Sequence, residues 1–425
     1  MMRTKLISEL KPRREITPSI TGAKMMTGNV AAAWAARLAE VDYIPAYPIT
    51  PQTEIVETLS QWIALGEMNA KLTFLDSEHS MLTAAGTSSL AGARVFTATS
   101  SQGLLYGFEM LYNIAGWRAP IVLVNVSRAV AAPITLEPDH NDFLSTRDTG
   151  FILLQTETCQ EVLDLILLAY RVSEDHRVLL PSIVNLDGFH LSFTREPVKL
   201  PDVEEVRSFL PTYNPPYPFR AGKPSAKGVA VLRPPLYSFY KYQMHLSSLN
   251  AIKVFKEACD DFEAYFARRY DVVEKYMVDD AEYVFVMMGS FTSIGKKAVK
   301  MMREEGLSVG LLKLRMVRPF PTQDIRRALE GKKAVAVIDQ NISPGFGGTL
   351  FAEVSSTLYN VEKKPRVVLP VIGAIGGKTL SLDEFRYIVE LMMKYEQRGE
   401  PEPILLFRED ELREVESLLK LGVGE

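Results

Sequence analysis

The chain of 425 residues holds two cysteines, Cys159 and Cys259, and they form no CxxC or CxxxC pair. A disulfide framework, a cysteine-type zinc site and an iron–sulfur cluster held by this chain alone are thereby excluded. Its five histidines are scattered without an HExxH, so no metal site of its own is expected. There is no GxxxxGK[ST] phosphate loop, no GxSxG nucleophile turn and no strand-linked GxGxxG. No run of about 18 apolar residues occurs, which excludes a transmembrane helix, and no membrane contact is expected. The basic N-terminus lacks the apolar stretch and cleavage site of a secretory signal. Neither charge dominates: 48 Lys and Arg stand against 52 Asp and Glu. That balance argues against nucleic acid as a partner. With 47% hydrophobic residues the chain can bury sizeable cores, and wholesale disorder is excluded. A soluble, cytoplasmic protein of two to three domains is expected.

What is present falls into four stretches. Residues 1–24 read as an N-terminal arm, with Arg3, Lys5, Lys11, Arg13 and Arg14 and little periodicity. Residues 25–200 alternate predicted strands and helices, with unalternated apolar strands such as IVLVNV. That pattern indicates a parallel sheet covered on both faces. Pro51 is expected at the first helical position of TPQTEIVETLSQWI. Residues 201–275 begin with a proline- and aromatic-rich excursion. Pro211, Pro215, Pro216, Pro218, Pro224, Pro234 and Pro235 argue against a regular helix over 201–245, and 249–275 turn helical. Residues 276–425 repeat the strand–helix alternation, with turns at Arg318–Pro321 and Gly345–Gly348 and a closing helix over Leu382–Tyr395. The whole is an α/β protein.

Four segments carry the chemistry: Tyr47–Pro51, Ser77-Glu78-His79, Ser100–Leu104 and Ser127-Arg128-Ala129. Each falls at the C-terminal end of a predicted strand, the edge where open parallel sheets bind ligands. Each residue also has a structural reading. Glu78 suits the first turn of a helix behind a Ser77 cap. Thr50 suits an N-cap before Pro51, and Arg128 a solvated strand end.

At these residues the chain resembles the 2-oxoacid:ferredoxin oxidoreductases, nearest to the α subunit of the pyruvate type. The resemblance rests on YPITP, the Ser77-Glu78 helix start, the SQGL turn, Arg128-Ala129, the D-x-x-D of Asp139–Asp142, Arg147–Gly150 and the R-P-F-P turn, and it spans residues 25–400. It implies a thiamine-diphosphate pyrimidine-binding domain at 25–200 and a transketolase-C-terminal-like domain at 276–425. It implies oxidative decarboxylation of a 2-oxoacid, with the acyl group passing to coenzyme A and the electrons to ferredoxin, or the reverse. Glu78 would be the carboxyl at the cofactor's pyrimidine nitrogen. Pro48, Ile49, Ser101, Gln102 and Gly103 would line the cofactor. Thr50 and Arg128 would hold the substrate's carbonyl and carboxylate, with Asp139 and His140 beside them.

Thiamine enzymes need a second half that holds the diphosphate through Mg²⁺ with a GDG motif, and here Asp187-Gly188 lacks the preceding glycine. A partner β subunit is expected to supply that half. Cluster-bearing partners, a γ subunit and a ferredoxin-like δ subunit with [4Fe–4S] clusters, complete the expectation, in a dimer of hetero-oligomers. The LEPDHND segment departs from the usual pyruvate-type pattern. It leaves 2-oxoisovalerate, aryl 2-oxoacids such as phenylglyoxylate or indolepyruvate, and oxalate as alternatives, Thr50 weighing against the last. A non-catalytic scaffold subunit is the alternative from another class.

Overall fold

The computed structural model of the chain describes residues 22–399 and 401–422. The arm expected at 1–24 lies outside the described residues as far as residue 21; from Gly22 the backbone is strand. Strands and helices follow in the order β1 (Gly22–Thr27), α1 (Gly28–Leu38), β2 (Tyr43–Ala46), α2 (Thr53–Ala64), β3 (Lys71–Phe74), α3 (Glu78–Leu90), β4 (Phe96–Thr99), α4 (Ser101–Tyr106), α5 (Phe108–Trp117) and β5 (Val122–Ser127). Next come α6 (Asn141–Ser145), β6 (Ile152–Gln155), α7 (Cys159–Ser173), β7 (Ser182–Asp187), β8 (Arg195–Leu200), α8 (Val203–Phe209) and α9 (Pro234–Phe266). The remainder runs β9 (Val273–Tyr276), β10 (Tyr283–Met287), α10 (Thr292–Glu304), β11 (Val309–Leu314), β12 (Met316–Arg318), α11 (Thr322–Leu329), β13 (Ala334–Asp339), α12 (Thr349–Leu358), β14 (Val367–Ile372), α13 (Leu382–Arg398), β15 (Ile404–Leu405) and α14 (Glu409–Gly422).

Two units are formed. One comprises the chain up to Glu274 with Met288–Thr292 and Leu314–Asp324; the other takes Lys275–Met287, Ser293–Lys313 and the chain from Ile325 onward. The first unit is built on a sheet of order β12-β6-β7-β5-β4. β4, β5, β7 and β6 run parallel, and β12 pairs antiparallel with β6. β2 and β3 extend it through the parallel bridge from Tyr43 to Val95. The residues of β4, β5, β6 and β7 are all buried, which is why these strands read as continuous apolar runs rather than alternating ones. Alanines 31–33, 35 and 36 of α1 are fully enclosed and bring that helix close against α7. Cys159 and Cys259 are free and buried, and burial pushes both thiols up in pKa.

Two stretches differ from the reading of the sequence. The Arg318–Pro321 turn, read as part of the second domain, follows β12 and clusters with the first unit. The proline-rich excursion opens on a helix, α8 (Val203–Phe209), before the first of its prolines at 211, and is irregular only from Leu210 to Arg233, pinned by Phe219 N–H on the Leu90 carbonyl (2.8 Å) and Tyr213 on the Ser89 carbonyl (3.3 Å). Pro234 and Pro235 do not break α9; they start it. A proline at the first helical positions lacks only an N–H that would have no helical partner there.

The second unit carries a sheet of order β15-β14-β13-β10-β11-β9, in which the pairs β15/β14, β14/β13, β13/β10 and β10/β11 are parallel. The Gly345–Gly348 run is a tight turn before α12, as expected. Asp339 at the end of β13 accepts from Leu350 N–H (2.8 Å) and Phe351 N–H (2.9 Å), filling the helix N-terminus. A Cβ at Gly348 would collide with that carboxylate. The last helix, α14, was not expected.

Arg315, 2% exposed, fastens the 314–324 segment inside the first unit. Its Nη2 donates to Glu161 (2.8 Å) and Glu274 (2.7 Å), and its Nη1 to the Asp271 carbonyl (2.6 Å). Glu157, Glu161 and Glu274 offer carboxylate oxygens within 4.8 Å of one another, and this guanidinium is the cation between two of them. Arg315→Ala removes from the buried Glu161 the guanidinium it is paired with. The expected cost is about 3–5 kcal/mol, read by denaturant unfolding. A loss under about 1 kcal/mol would show that the carboxylates are compensated otherwise.

Candidate functional site

The Tyr47–Pro51 turn leaves β2. Pro48 and Pro51 have no N–H to give, so the turn's carbonyls must find donors elsewhere. Three side chains supply them. Gln52 Nε2 donates to the Tyr47 carbonyl (3.0 Å), Arg128 Nη1 to that of Thr50 (2.8 Å) and Asn29 Nδ2 to that of Pro51 (2.8 Å). Helix α2 begins at Thr53 with Gln52 as its cap, and no side chain caps it. Pro51 is therefore two positions short of the helix, and Thr50 is not an N-cap. The Thr50 and Pro48 side chains are exposed, and Ile49 is half-buried.

Glu78 opens α3, and the Ser77 hydroxyl accepts from Ser80 N–H (3.2 Å) as the expected cap. Glu78 is only 4% exposed, and burial raises its pKa above the ordinary carboxylate value, a backbone hydrogen bond opposing. Gly103, in the first turn of α4, lies directly against it. A Cβ there would collide with Glu78 Oε1 and stand 2.6 Å from Thr99 Oγ1. The glycine of the SQGL turn is thus a matter of space. The Thr99 hydroxyl beside this contact is buried without a protein partner, and so is that of the next residue, Ser100. A buried carboxyl with a raised pKa and an unanswered hydroxyl suit a flat, nitrogen-bearing ring, such as an aminopyrimidine.

Arg128 follows β5 and is 8% exposed. Burial lowers its pKa and the Asp142 carboxylate counteracts this; a guanidinium stays charged regardless. Besides holding the Thr50 carbonyl it donates from Nη2 to Gln102 Oε1 (2.6 Å), while its buried Nε has no partner. Thr50, Gln102 and Arg128, from three different strand ends, are thus joined directly. Ser101 adopts the left-handed conformation (φ 46°), disfavoured by roughly 1–2 kcal/mol outside glycine. Its N–H on Asp142 Oδ2 (3.0 Å) helps to hold it there, and its hydroxyl lies 2.6 Å from Gln102 Oε1.

Asp139 and His140 sit deeper than a binding loop would. Asp139 is buried, its pKa pushed up to about 6 chiefly by that burial, and it accepts from Asn141 N–H (2.9 Å). His140 is fully enclosed, with Nε2 2.8 Å from Asp187 Oδ1 and Nδ1 without a partner. From that pair a buried polar chain crosses the strand ends. Gln155 Nε2 donates to Asp187 (3.0 Å), Asn185 Nδ2 to Gln155 (2.7 Å), Asn125 Nδ2 to Asn185 (2.7 Å) and also to Asp142 (3.0 Å). Ser290 closes the far end on Asp187 through N–H (2.8 Å) and hydroxyl (2.6 Å).

Asn125, Asn185, Gln155 and Asn29 were missed in the sequence, Asp142 was read only as part of the D-x-x-D motif, and Asp187 only as a DG without its glycine. A signal was there: VLVNVS, SIVNLD and ILLQ each place an amide in an otherwise buried apolar strand. Such a side chain is kept only when it is hydrogen-bonded.

Two family models match the chain. "Pyruvate flavodoxin/ferredoxin oxidoreductase, thiamine diP-bdg" covers residues 34–260, and "Pyruvate:ferredoxin oxidoreductase core domain II" covers residues 281–385. Pyruvate synthase subunit PorA of Pyrococcus abyssi is 42% identical over 379 residues, 89% of this chain and 95% of its own length. Ketoisovalerate oxidoreductase subunit VorA of Pyrococcus horikoshii is 40% identical over 378 residues, 88% and 95% of the two chains. Among solved structures, the 2-oxoglutarate:ferredoxin oxidoreductase from Magnetococcus marinus has the same fold at 18% identity. It matches with a TM-score of 0.66 over 88% of this chain and 66% of that one.

The His140–Asp187 pair makes a prediction about pH. Burial alone would lower the imidazole's pKa, but the Asp187 carboxylate outweighs it and the pKa is raised. Asp187 is lowered, burial being outweighed by His140. The histidine's share of stability is fully present below about pH 6.5 and is lost as pH rises through the higher folded value. The aspartate's share is present above about pH 3.8 and is lost as pH falls through its folded value. A chemical-shift titration of His140 should have its midpoint above that of a free histidine. In Asp187→Asn the midpoint should fall; an unmoved midpoint would mean that another carboxylate sets it.

Proposed function

The chain belongs to the pyruvate:ferredoxin oxidoreductase family, and we propose that it is the α subunit of a thiamine-diphosphate-dependent enzyme that oxidatively decarboxylates pyruvate, or runs the reverse reaction. The observation that carries this reading is the enclosed Glu78, with its raised pKa, set against Gly103 and the partnerless Thr99 and Ser100 hydroxyls. Those groups fit the pyrimidine end of thiamine diphosphate. Glu78 would hold a proton at the ring nitrogen, Thr99 and Ser100 would meet the ring's polar edge, and Gly103 leaves room for the Glu78 carboxylate itself. Ile49 and Gln102 would line the same cofactor. Bound thiamine diphosphate supplies a carbon nucleophile for the 2-oxo carbon and a sink for the electron pair that decarboxylation releases.

Arg128 meets the substrate carboxylate with the N–H groups not spent on Thr50 and Gln102. A planar fork already fixed by two protein acceptors pays little ordering entropy on binding. The exposed Thr50 hydroxyl stands over the same turn and donates to the substrate's carbonyl. Asp139 and His140 act from beneath, keeping the 139–142 segment in place.

The relatives at 40–42% identity are subunits, PorA and VorA, and a multi-subunit enzyme follows. Within that enzyme a β subunit holds the diphosphate and Mg²⁺, since the GDG motif is missing here. Its [4Fe–4S] clusters reside in γ and δ partners, since the only two cysteines are distant in sequence and buried. Coenzyme A takes the acyl group and ferredoxin the electrons.

Glu78→Gln should keep the complex assembled and lose about 10²–10⁴-fold in turnover. Turnover within a factor of a few of wild type would remove Glu78 from the proton role. Arg128→Lys keeps the charge and loses the fork. Catalytic efficiency for pyruvate and 2-oxoisovalerate should fall roughly 30- to several-thousand-fold, with thiamine diphosphate content unchanged. Equal efficiency for both substrates in mutant and wild type would assign the carboxylate to another group.

A further inference from the structure

The first three turns of α9 have no support from the first unit, to which they belong. From Pro234 to Gln243 every residue is exposed, and burial begins only at Met244 and Ser247, where Arg118 Nη2 reaches the Ser247 hydroxyl (2.8 Å). Beyond Ala251 the same helix is core, with Val254, Phe255, Ala258 and Phe262 enclosed. About 15 Å of helix therefore stands clear of the body. Its side chains are not those of a solvated helix. Tyr237, Phe239, Tyr240 and Tyr242 are each more than half exposed, and Leu232 just before the helix is 92% exposed. At about 100° per residue the four rings point to roughly 0°, 200°, 300° and 140° around the axis. An all-round apolar helix is stable only when it is surrounded. Half-exposed, the rings with Leu232, Leu236 and Leu249 present on the order of 700 Å² of apolar surface. That is close to the ~800 Å² per side of a stable protein interface and above what a monomer leaves bare.

The charge along this segment has one sign. From Val206 to Lys256 the chain has no Asp or Glu, while Arg220, Lys223, Arg233 and Lys241 are exposed in the stretch. A second copy of the same surface, related by a two-fold axis, would face cation with cation. Residues 1–21, with five Lys and Arg against two Glu, do not complement it either. Tyrosine, phenylalanine and arginine without acids is the composition of an interface core.

We propose that the projecting turns of α9, Pro234–Gln243, are the docking element for a different subunit of the enzyme, one that encloses the helix in an apolar groove rimmed with carboxylates. The inference rests on the multi-subunit reading above. Aromatic anchors of this kind dominate an interface: replacing Phe239 and Tyr240 with serine weakens the subunit's binding about 30-fold or more. Lys241→Glu weakens it and also removes part of its salt dependence.

The test is made in the purified, assembled enzyme, with the photo-reactive residue p-benzoylphenylalanine at position 240 and the cross-links read by mass spectrometry. The expected product joins this chain to a different subunit, within a few residues of Asp or Glu. Phe239→Ser/Tyr240→Ser should release that subunit while the melting temperature of this chain is unchanged. Cross-links only to a second copy of this chain, to lipid or to nucleic acid would overturn the proposal, as would an intact multi-subunit enzyme with no cross-link at position 240. A purified enzyme with no other subunit would sink the multi-subunit reading itself, and the two failures are told apart by the subunit content of the same preparation.

Discussion

Asp142 is a fully buried carboxylate that receives five donors. Its Oδ1 takes the Ser127 hydroxyl and Phe143 N–H, both at 2.7 Å, and its Oδ2 takes Ser101 N–H (3.0 Å), Asn125 Nδ2 (3.0 Å) and Arg128 N–H (3.2 Å). Those donors come from the ends of two neighbouring strands and the loop that follows them. A charge taken out of water is tolerated only when its lone pairs are filled, and an acceptor left short costs more than the bond it lost was worth. The carboxylate therefore dictates where the backbones of Ser101 and Arg128 must lie. Ser101's left-handed turn starts α4 so that Gly103 meets Glu78. Arg128's placement lets its fork reach the Thr50 carbonyl. The Glu78 side and the Thr50 side of the edge are both referred to one anchor.

The same logic extends sideways. The amides of Asn125, Asn185 and Gln155 lie end to end across β5, β7 and β6 and pass the constraint to Asp187, His140 and Ser290. Each amide has one donor and one acceptor side, so reversing one member breaks two bonds. Apart from the Asn125 Oδ1, which is buried without a partner, the chain's amides are bonded to one another or to Asp142 and Asp187, and such networks are worth more than their pairs. That favours a site whose strand ends are held rigidly rather than one that closes around its ligand.

Most of the sheet was legible because buried parallel strands announce themselves. IVLVNV and KAVAVIDQN have no polar face to hide, and Ser77 with Glu78 is a helix start by local chemistry alone. The four segments that end those strands could be read as one edge for the same reason. Three things could not be read. Pro234-Pro235 forbids a helix interior and favours a helix start with equal force, and the twenty residues on either side did not say which. β12 has too few residues to show a pattern, and its antiparallel place beside β6 is set by tertiary pairing. Asp142 looked like the second half of a loop motif, because its five donors are gathered from positions 101–143 and no local spacing reveals them. Asp139 and His140 drew attention as chemistry-bearing types, though their enclosure gives them no direct face to solvent.

The turn at Tyr47–Pro51 is clasped through its carbonyl oxygens: Gln52, Arg128 and Asn29 hold main-chain atoms of residues 47, 50 and 51. The side chains of Pro48, Ile49 and Thr50 bear none of that load. Position 50 can therefore exchange its side chain without disturbing the frame that presents it, as a tool changes its bit and keeps its handle. A substitution at position 50 therefore changes what this edge of the sheet presents to solvent, while the main chain of the turn stays where Gln52, Arg128 and Asn29 hold it.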